Sequence, residues 1–559
     1  QTLFYVTHVE LGAEVPEFEI TGVFGQKIES VKVHEANQNY TAIDGVLFDK
    51  AVTKVVYYPT DREGDYTLPE TIVEIGDRVF QGKTGLTGIT IGKNVKRIGV
   101  GAFRNCSKLK FVKFADSTVG LTIADEAFYG CSVMEEIQLP GRLTEIGANA
   151  FASCRKLASL TIPEGVTHIG SGAFATCSVL TEISLPKSLT AMDLNEKGEF
   201  TIFSACPKLE KITVASDSAN FVAIENVLYQ RTDKPVLDAD GNKVLDADGK
   251  ETTENVLSTL LFCPQRKAGS TTVTVPDTVT NVAANAFYYN QVVTEIRFGV
   301  LKKGETLTVG SQAFGSCAVL AKIALPEGLS EIPASMFYGC QTVEEIVIPS
   351  TVASIGNKAF FGCSNLKSLI FTETPEGQTP VDLVILDTPN GSSDNGYTNS
   401  PFYGCTSLKN IVLPERLTVI GRLAFGGLVS GRYGEKYIPP FESISLPSTL
   451  KEIHEMAFLN ARNLKTVTFA SGTTLSDACD GKAFAIGKQA FYYCTSLTEI
   501  ALPTSSEATY SIGDTAFAYT GLKEISIPKA VGWLGGGVFN RSSDLAKVVF
   551  EAGANPKCG

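Results

Sequence analysis

Histidine, tryptophan and methionine are scarce in this chain of 559 residues, which has four His, one Trp and four Met. The histidines, His8, His34, His168 and His454, are scattered. His454-Glu455 is followed at the zincin i+4 position by Phe458 instead of a second histidine. There is no G-x-S-x-G nucleophile elbow and no Walker-type phosphate loop, and Gly535-Gly536-Gly537 reads as a turn. Glu135-Glu136 and Glu344-Glu345 are adjacent, so their carboxylates point to opposite faces of an extended segment and cannot face each other as acid and base. His168 and His454 read as exposed turn residues. An enzyme is therefore disfavoured: no catalytic residue, cofactor or metal is assigned, and a hydrolase with an unseen site is the remaining enzymatic alternative.

Basic charge and long apolar runs are missing too. A net charge of −12 and a pI near 5.1 argue against nucleic acid and against anionic membrane surfaces. No apolar run approaches the ~20 residues of a membrane span. No signal peptide is visible and the chain starts with Gln1, so a processed or trimmed N-terminus is expected.

What is present is a repeat. Residues 146–163 read Ile146-Gly147, Ala150-Phe151, Cys154, Leu157, Leu160 and Ile162-Pro163, and residues 169–186 repeat the phrase from Ile169-Gly170 through Ala173-Phe174 and Cys177 to Leu185-Pro186. The landmark Phe recurs at 80, 103, 128, 151, 174, 203, 287, 314, 337, 360, 402, 425, 458, 491, 517 and 539, most often 23 residues apart. A unit of that length cannot bury its own apolar side chains and is stable only between copies of itself. Leu157-x-x-Leu160-x-Ile162 alternates as a short strand, Pro163 ends it, Gly170 suits a tight bend, and Ala173-Phe174-x-x-Cys177 has the spacing of a helical turn.

The A-F-x-x-C, L-x-x-I-x-L-P and I-G set resembles the BspA-like class of bacterial leucine-rich repeats over about 80–550. The expected fold is an α/β repeat: a single curved, right-handed leucine-rich-repeat solenoid with a parallel β-sheet on its concave side and short helical turns or loops on its convex side. Two segments, Asn39–Phe48 and Asn220–Tyr229, each precede an apolar run and a Pro and read as β-hairpin insertions, with Phe24 a degenerate first rung. The resulting division is an N-terminal cap (1–79), repeats (80–216), a hairpin insertion (217–275), repeats (276–550) with a loop insertion at 372–400, and a tail (551–559). The resemblance implies a cell-surface or secreted binding protein, often adhesive, outside the cytoplasm.

Ten of the thirteen cysteines stand three residues after a landmark Phe, where other rungs carry Asn290, Leu428, Ala461 or Ser542. The slot wants a small, semi-polar filler, and a reduced, buried ladder is expected. Regular disulfides are disfavoured because neighbouring rungs would hold the Cβ atoms slightly too far apart with parallel vectors, and zinc because no C-x-x-C pair exists. Cys263, Cys479 and Cys558 are off register. Asp238-Ala239-Asp240-Gly241 and Asp246-Ala247-Asp248-Gly249 lack the glycine placement of a calcium loop and read as hairpin turns, weak calcium binding being the alternative.

The outward strand position ten residues after each Phe is polar in the first half, at Lys113, Gln138, Thr161, Ser184 and Thr213. From residue 314 it becomes Ala324, Val347, Ile370 and Val412, an outward apolar stripe that marks a partner site unless neighbours shield it. The 372–400 insertion leaves beside it and offers Tyr397. A second series, Tyr129, Tyr288, Tyr338, Phe361, Tyr403 and Tyr492, follows the Phe directly and reads mainly as packing. The expected function is a non-catalytic protein-binding scaffold for a host or bacterial extracellular protein. A glycan-binding module and a self-assembling surface element are the alternatives.

Overall fold

The computed structural model describes residues 6–17, 28–60, 62–236, 242–302, 304–387, 399–427, 437–476, 484–504 and 509–559. Phe24, Asp238 to Gly241, Tyr397 and Cys479 lie outside these residues. The chain forms two compact units, Gln1–Gly269 and Ser270–Gly559.

In each unit the repeat is a rung with three sides. The first is the L-x-x-I-x-L strand, which pairs in parallel with the next rung: Ser159–Thr161 with Glu182–Leu185 (Leu160 opposite Ile183), and Glu182–Leu185 with Lys211–Val214. The second is a short strand ending at the Ile of Ile-Gly; His168–Ile169 pairs with Leu143–Ile146 on one side and Ala191–Met192 on the other. Gly170 is needed there because the rungs almost touch: a Cβ on it would lie 2.4 Å from the Ala148 amide nitrogen.

The third side corrects the expectation of helical turns, and with it the α/β class, since no α-helix occurs among the described residues. Around Ala150-Phe151 alternate amides go in different directions. Asn149, Phe151 and Ser153 donate to the carbonyls of Ser171, Ala173 and Ala175 in the next rung (2.9, 2.8 and 2.8 Å), while Ala150, Ala152 and Cys154 donate back within the turn. This alternation requires left-handed backbone at Asn149 (φ 54°) and Ser153 (φ 62°), and an α-helix cannot contain it. The 3–4 spacing is real but arises from consecutive tight turns stitched to the neighbouring rung.

The interior is a ladder of identical side chains. Phe80, Phe103, Phe128, Phe151, Phe174 and Phe203 stack in the first unit with centroids 4.8 to 6.1 Å apart. Phe314, Phe337, Phe360, Phe402, Phe425, Phe458, Phe491 and Phe517 do so in the second. The cysteines run beside them as free thiols, and Cys263 is buried as well. Each ladder thiol donates to the carbonyl of the preceding rung's Phe, as Cys154 Sγ does to Phe128 (3.4 Å) and Cys340 Sγ to Phe314 (3.0 Å). Ser542 Oγ makes the same bond to Phe517 (2.9 Å), whereas Ala461 fills the slot with no side-chain donor, so the slot selects small size first and a donor second.

Antiparallel strands interrupt the stack twice. Tyr40–Ile43 pairs with Val46–Asp49, which pairs with Lys54–Tyr57; Phe221–Ile224 pairs with Val227–Pro235, which pairs with Thr253–Phe262. In the second insertion the Asp246 carboxylate accepts the amides of Asp248 (3.0 Å) and Lys250 (2.9 Å), closing its own turn.

Two of the irregular rungs are built alike. Where a regular rung has its short Pro-initiated turn, residues 115–121 and 372–383 run longer, and the pairing register then shifts at Leu121/Thr122 and at Leu383/Val384. The 372–400 insertion is thus not wholly a loop: Leu383–Ile385 is a strand of the second sheet, paired with Ser354–Ile355 and Leu417–Ile420. A buried arginine follows each of these two, whereas Ala530 stands at the equivalent place after the register shift at Tyr510/Ser511. Arg142 donates across it to the carbonyls of Val95, Val119 (3.1 Å) and Gly92 (3.2 Å). Arg416 donates to those of Val352, Val381 (3.3 Å) and Pro349 (2.9 Å).

Candidate functional site

The four predicted stripe residues all lie in the second unit, at outward positions of the first sheet. Ala324 ends the strand Lys322–Ala324, opposite Arg297 of Glu295–Phe298. Val347 of Glu345–Ile348 is the register partner of Ile370 in Ser368–Phe371. Val412 bridges to Ser445, which in turn faces Thr468. Ala324 is exposed, Val347 is half-buried, Ile370 is 43% exposed and Val412 is 79% exposed. Strand alternation forces this outcome: Ile346, Leu369 and Ile411 turn inward, so their neighbours must turn out.

Beyond Val412 the same face becomes polar and hollow. A shallow groove of about 650 Å³ is lined by the outward side chains of successive strands, Thr466 and Thr468, Glu499, Glu524 and Ser526, then Lys547 and Val549. Lys547 pairs with Glu524 (3.3 Å), as Lys465 does with Glu442 (2.6 Å) and Lys367 with Glu344 (2.8 Å). These exposed pairs fix side-chain positions more than they stabilise, at roughly 0–1 kcal/mol each. The sequence reading stopped at the apolar stripe and missed this groove. Its signal, Thr, Ser and Lys at outward positions, is that of any solvated strand.

The histidines differ from the expected exposed turn residues. His168 lies on a strand of the second sheet between Asp193 (2.9 Å) and Glu145 (3.4 Å), one from each neighbouring rung. His454 sits between Asp387 (2.6 Å) and Glu452 (2.9 Å), with its side chain 24% exposed. The Asp387 hydrogen bond, against the pull of burial and with help from Glu452, raises the His454 pKa to about 8. For His168 burial pulls the pKa down, but its two carboxylate partners outweigh this and raise it. Each imidazolium is an ionic brace between rungs, with no nucleophile among its partners. Among the described residues no group of three or more His, Cys, Asp or Glu is placed to hold a metal.

The aromatic series after the landmark Phe divides. Tyr338, Phe361 and Tyr403 stack at 5.0 and 4.9 Å, and Tyr403 packs on buried Tyr437, whose hydroxyl donates to the Phe402 carbonyl (3.1 Å). That part is packing. One position later the sequence reading missed Tyr289, Tyr493 and Tyr519, which adopt φ of 60°, 63° and 58°. Other rungs place Gly130, Gly339, Gly362 or Gly404 there, and left-handed backbone costs a side-chain-bearing residue about 1–2 kcal/mol. The doubled tyrosine of Phe491-Tyr492-Tyr493 was the available signal.

Parallel strands stacked in rungs of this length, with a Phe and Cys ladder inside, define a leucine-rich-repeat solenoid. The chain belongs to the family described as the BspA type leucine rich repeat region, which matches in six copies at residues 64–120, 116–232, 265–377, 393–433, 435–485 and 479–555. Among solved structures it is similar to the pneumococcal vaccine antigen PcpA, at 21% identity over 77% of this chain and 91% of that one, with a TM-score of 0.50. It is also similar to a leucine rich cell surface protein from Faecalibacterium prausnitzii (27% identity, 66% and 94% coverage, TM-score 0.46). A leucine-rich repeat protein from Bacteroides ovatus matches at 24% identity over 93% and 97%, with a TM-score of 0.45. No curated protein matches the chain. No helix among the described residues is long and apolar enough to cross a membrane.

Proposed function

We propose that the chain is a non-catalytic binding scaffold, displayed on or secreted from a bacterial cell, that adheres to a host or bacterial extracellular protein through the first sheet of its second unit. The observation that carries this reading is the outward apolar row of Val347 and its register partner Ile370, with Val412 79% exposed. Exposed β-branched side chains in a row are an unfavourable way to meet water and a favourable way to meet a partner. The polar groove beyond them supplies the rim that a protein interface needs. The first turn of the 372–400 insertion is assigned to the same site because Thr372 follows the Ile370 strand directly. Extracellular display rests on the family.

The test is binding of the purified chain to immobilised matrix proteins and mucins, with a Val347→Asp/Ile370→Lys/Val412→Asp variant beside it. A protein ligand whose affinity falls at least tenfold in the variant, with its melting curve unchanged, supports the reading. A ligand bound equally well by both forms removes the stripe from the site.

A further inference from the structure

A second surface, away from the sheet, has the build of a ligand site. Tyr493 and Tyr519 stand on successive rungs at the strained left-handed position that elsewhere is often glycine. Their rings stack at 4.2 Å, and Tyr492 closes the cluster edge-on at 4.9 Å from Tyr493 and 5.3 Å from Tyr519. The guanidinium of Arg462 lies 5.4 Å over the Tyr493 ring and that of Arg541 lies 5.7 Å over the Tyr519 ring. Arginine, two tyrosines and arginine thus form one column across four rungs.

Two features bear on what this column could hold. Arg462 and Arg541 have no carboxylate within ion-pair distance among the described residues, a condition they share with Arg78, Arg155 and Arg231, but here the guanidinium groups also flank stacked tyrosines, and the buried Arg462 Nε has no hydrogen-bond partner. The ring faces are also taken, each by the other ring and by an arginine, so a neutral sugar has no face to stack on. What remains is N–H and O–H donors with positive charge, which complements an oxyanion.

We infer that this edge binds the sulfate or carboxylate groups of an acidic polysaccharide. It is independent of the protein-binding face proposed above. Each arginine offers charge-assisted bonds to one acidic group, and the tyrosine hydroxyls between them bond to adjacent sugar hydroxyls. The two arginines stand three rungs apart, roughly 14 Å at about 4.8 Å per rung, so a polymer carrying several acidic groups reaches both where a single ion cannot.

The experiment is calorimetric titration of the full chain with heparin, polygalacturonate, neutral dextran and polyglutamate at low salt. Binding to heparin or polygalacturonate is expected, with none to dextran, weakening as salt screens the charges. Arg462→Gln/Arg541→Gln should lower that affinity at least tenfold. Tyr493→Phe/Tyr519→Phe, which keeps the rings and removes two hydroxyls, should lower it several-fold. Both variants should keep the wild-type melting curve, and the Phe pair guards against a folding artefact. Binding to heparin for sulfate, or to polygalacturonate for carboxylate, identifies the anion. Failure of both polysaccharides to bind, or undiminished binding by the arginine variant, overturns the site. Polyglutamate bound as tightly as the better polysaccharide overturns the assignment to a glycan.

Discussion

Arg142 and Arg416 give the sharpest test of how the solenoid tolerates irregular rungs. Each is buried, 8% and 6% exposed, with no carboxylate within ion-pair distance among the described residues, and burial lowers its pKa. Each follows a rung whose turn is overlong, and its guanidinium spans the resulting gap to carbonyls on the far side. The rung it crosses is tied to it as well, since Leu121 donates to the Arg142 carbonyl (2.9 Å) and Leu383 to that of Arg416 (2.7 Å). Truncation to alanine leaves three carbonyls in each case without that donor. Three bonds from a charged donor, at about 1.5 kcal/mol each, less about 1 kcal/mol recovered by no longer desolvating the guanidinium, put the loss near ~3.5 kcal/mol. Arg142→Ala should lower the urea-unfolding free energy by about that amount through the first unit, and Arg416→Ala through the second. Hydrogen exchange should accelerate at the Leu121 amide in the first variant and at Leu383 in the second. Lysine should restore less than half, because a point charge cannot reproduce the planar fork. A loss under ~0.5 kcal/mol in both alanine variants, or lysine indistinguishable from arginine, would refute the bridging role.

Three further outcomes follow from named contacts. His454 has its pKa raised to about 8 by Asp387 and Glu452, so its contribution is fully present below the unfolded value near 6.5 and is lost as pH rises through about 8. The second unit should lose up to ~1 kcal/mol between pH 6.5 and 8.5 after solvent screening, and His454→Gln should flatten that slope; an unchanged slope counts against the brace. Burial pushes the Cys154 thiol up to about 12, and among the described residues eleven cysteines are buried while Cys558 is exposed. A thiol reagent should therefore label at most two sites before denaturation, and mass spectrometry showing six or more would contradict the buried ladder. Phe337 is fully buried between Phe314 (5.6 Å) and Phe360 (5.7 Å), so Phe337→Ala should cost about 3–5 kcal/mol, and a melting curve near wild type would remove the stack from the core.

Much of this was legible from the chain because a repeat shows each constraint many times over. The spacing of Phe151 and Phe174 fixed the rung, and alternation in Leu160-x-Ile162 placed the inward and outward sides, which is why Ile370 and Val412 emerge exposed where the pattern put them. The Cys slot was readable from its Asn and Ser substitutes. The turn around Ala150-Phe151 was not, because a 3–4 spacing has the same appearance whether the amides bond along the chain or sideways to the next rung. Only adjacency of Asn149 to Ser171 selects between them. For the same reason nothing along the chain singles out Arg142 and Arg416, whose role depends on the overlong turns beside them. His454 looked exposed until Asp387, 67 residues away, came within 2.6 Å. The column of Arg462, Tyr493, Tyr519 and Arg541 draws on four rungs. Periodicity along the chain determined what each rung buries, whereas relations between rungs depend on stacking distance and side-chain direction, which exist only once the chain has coiled.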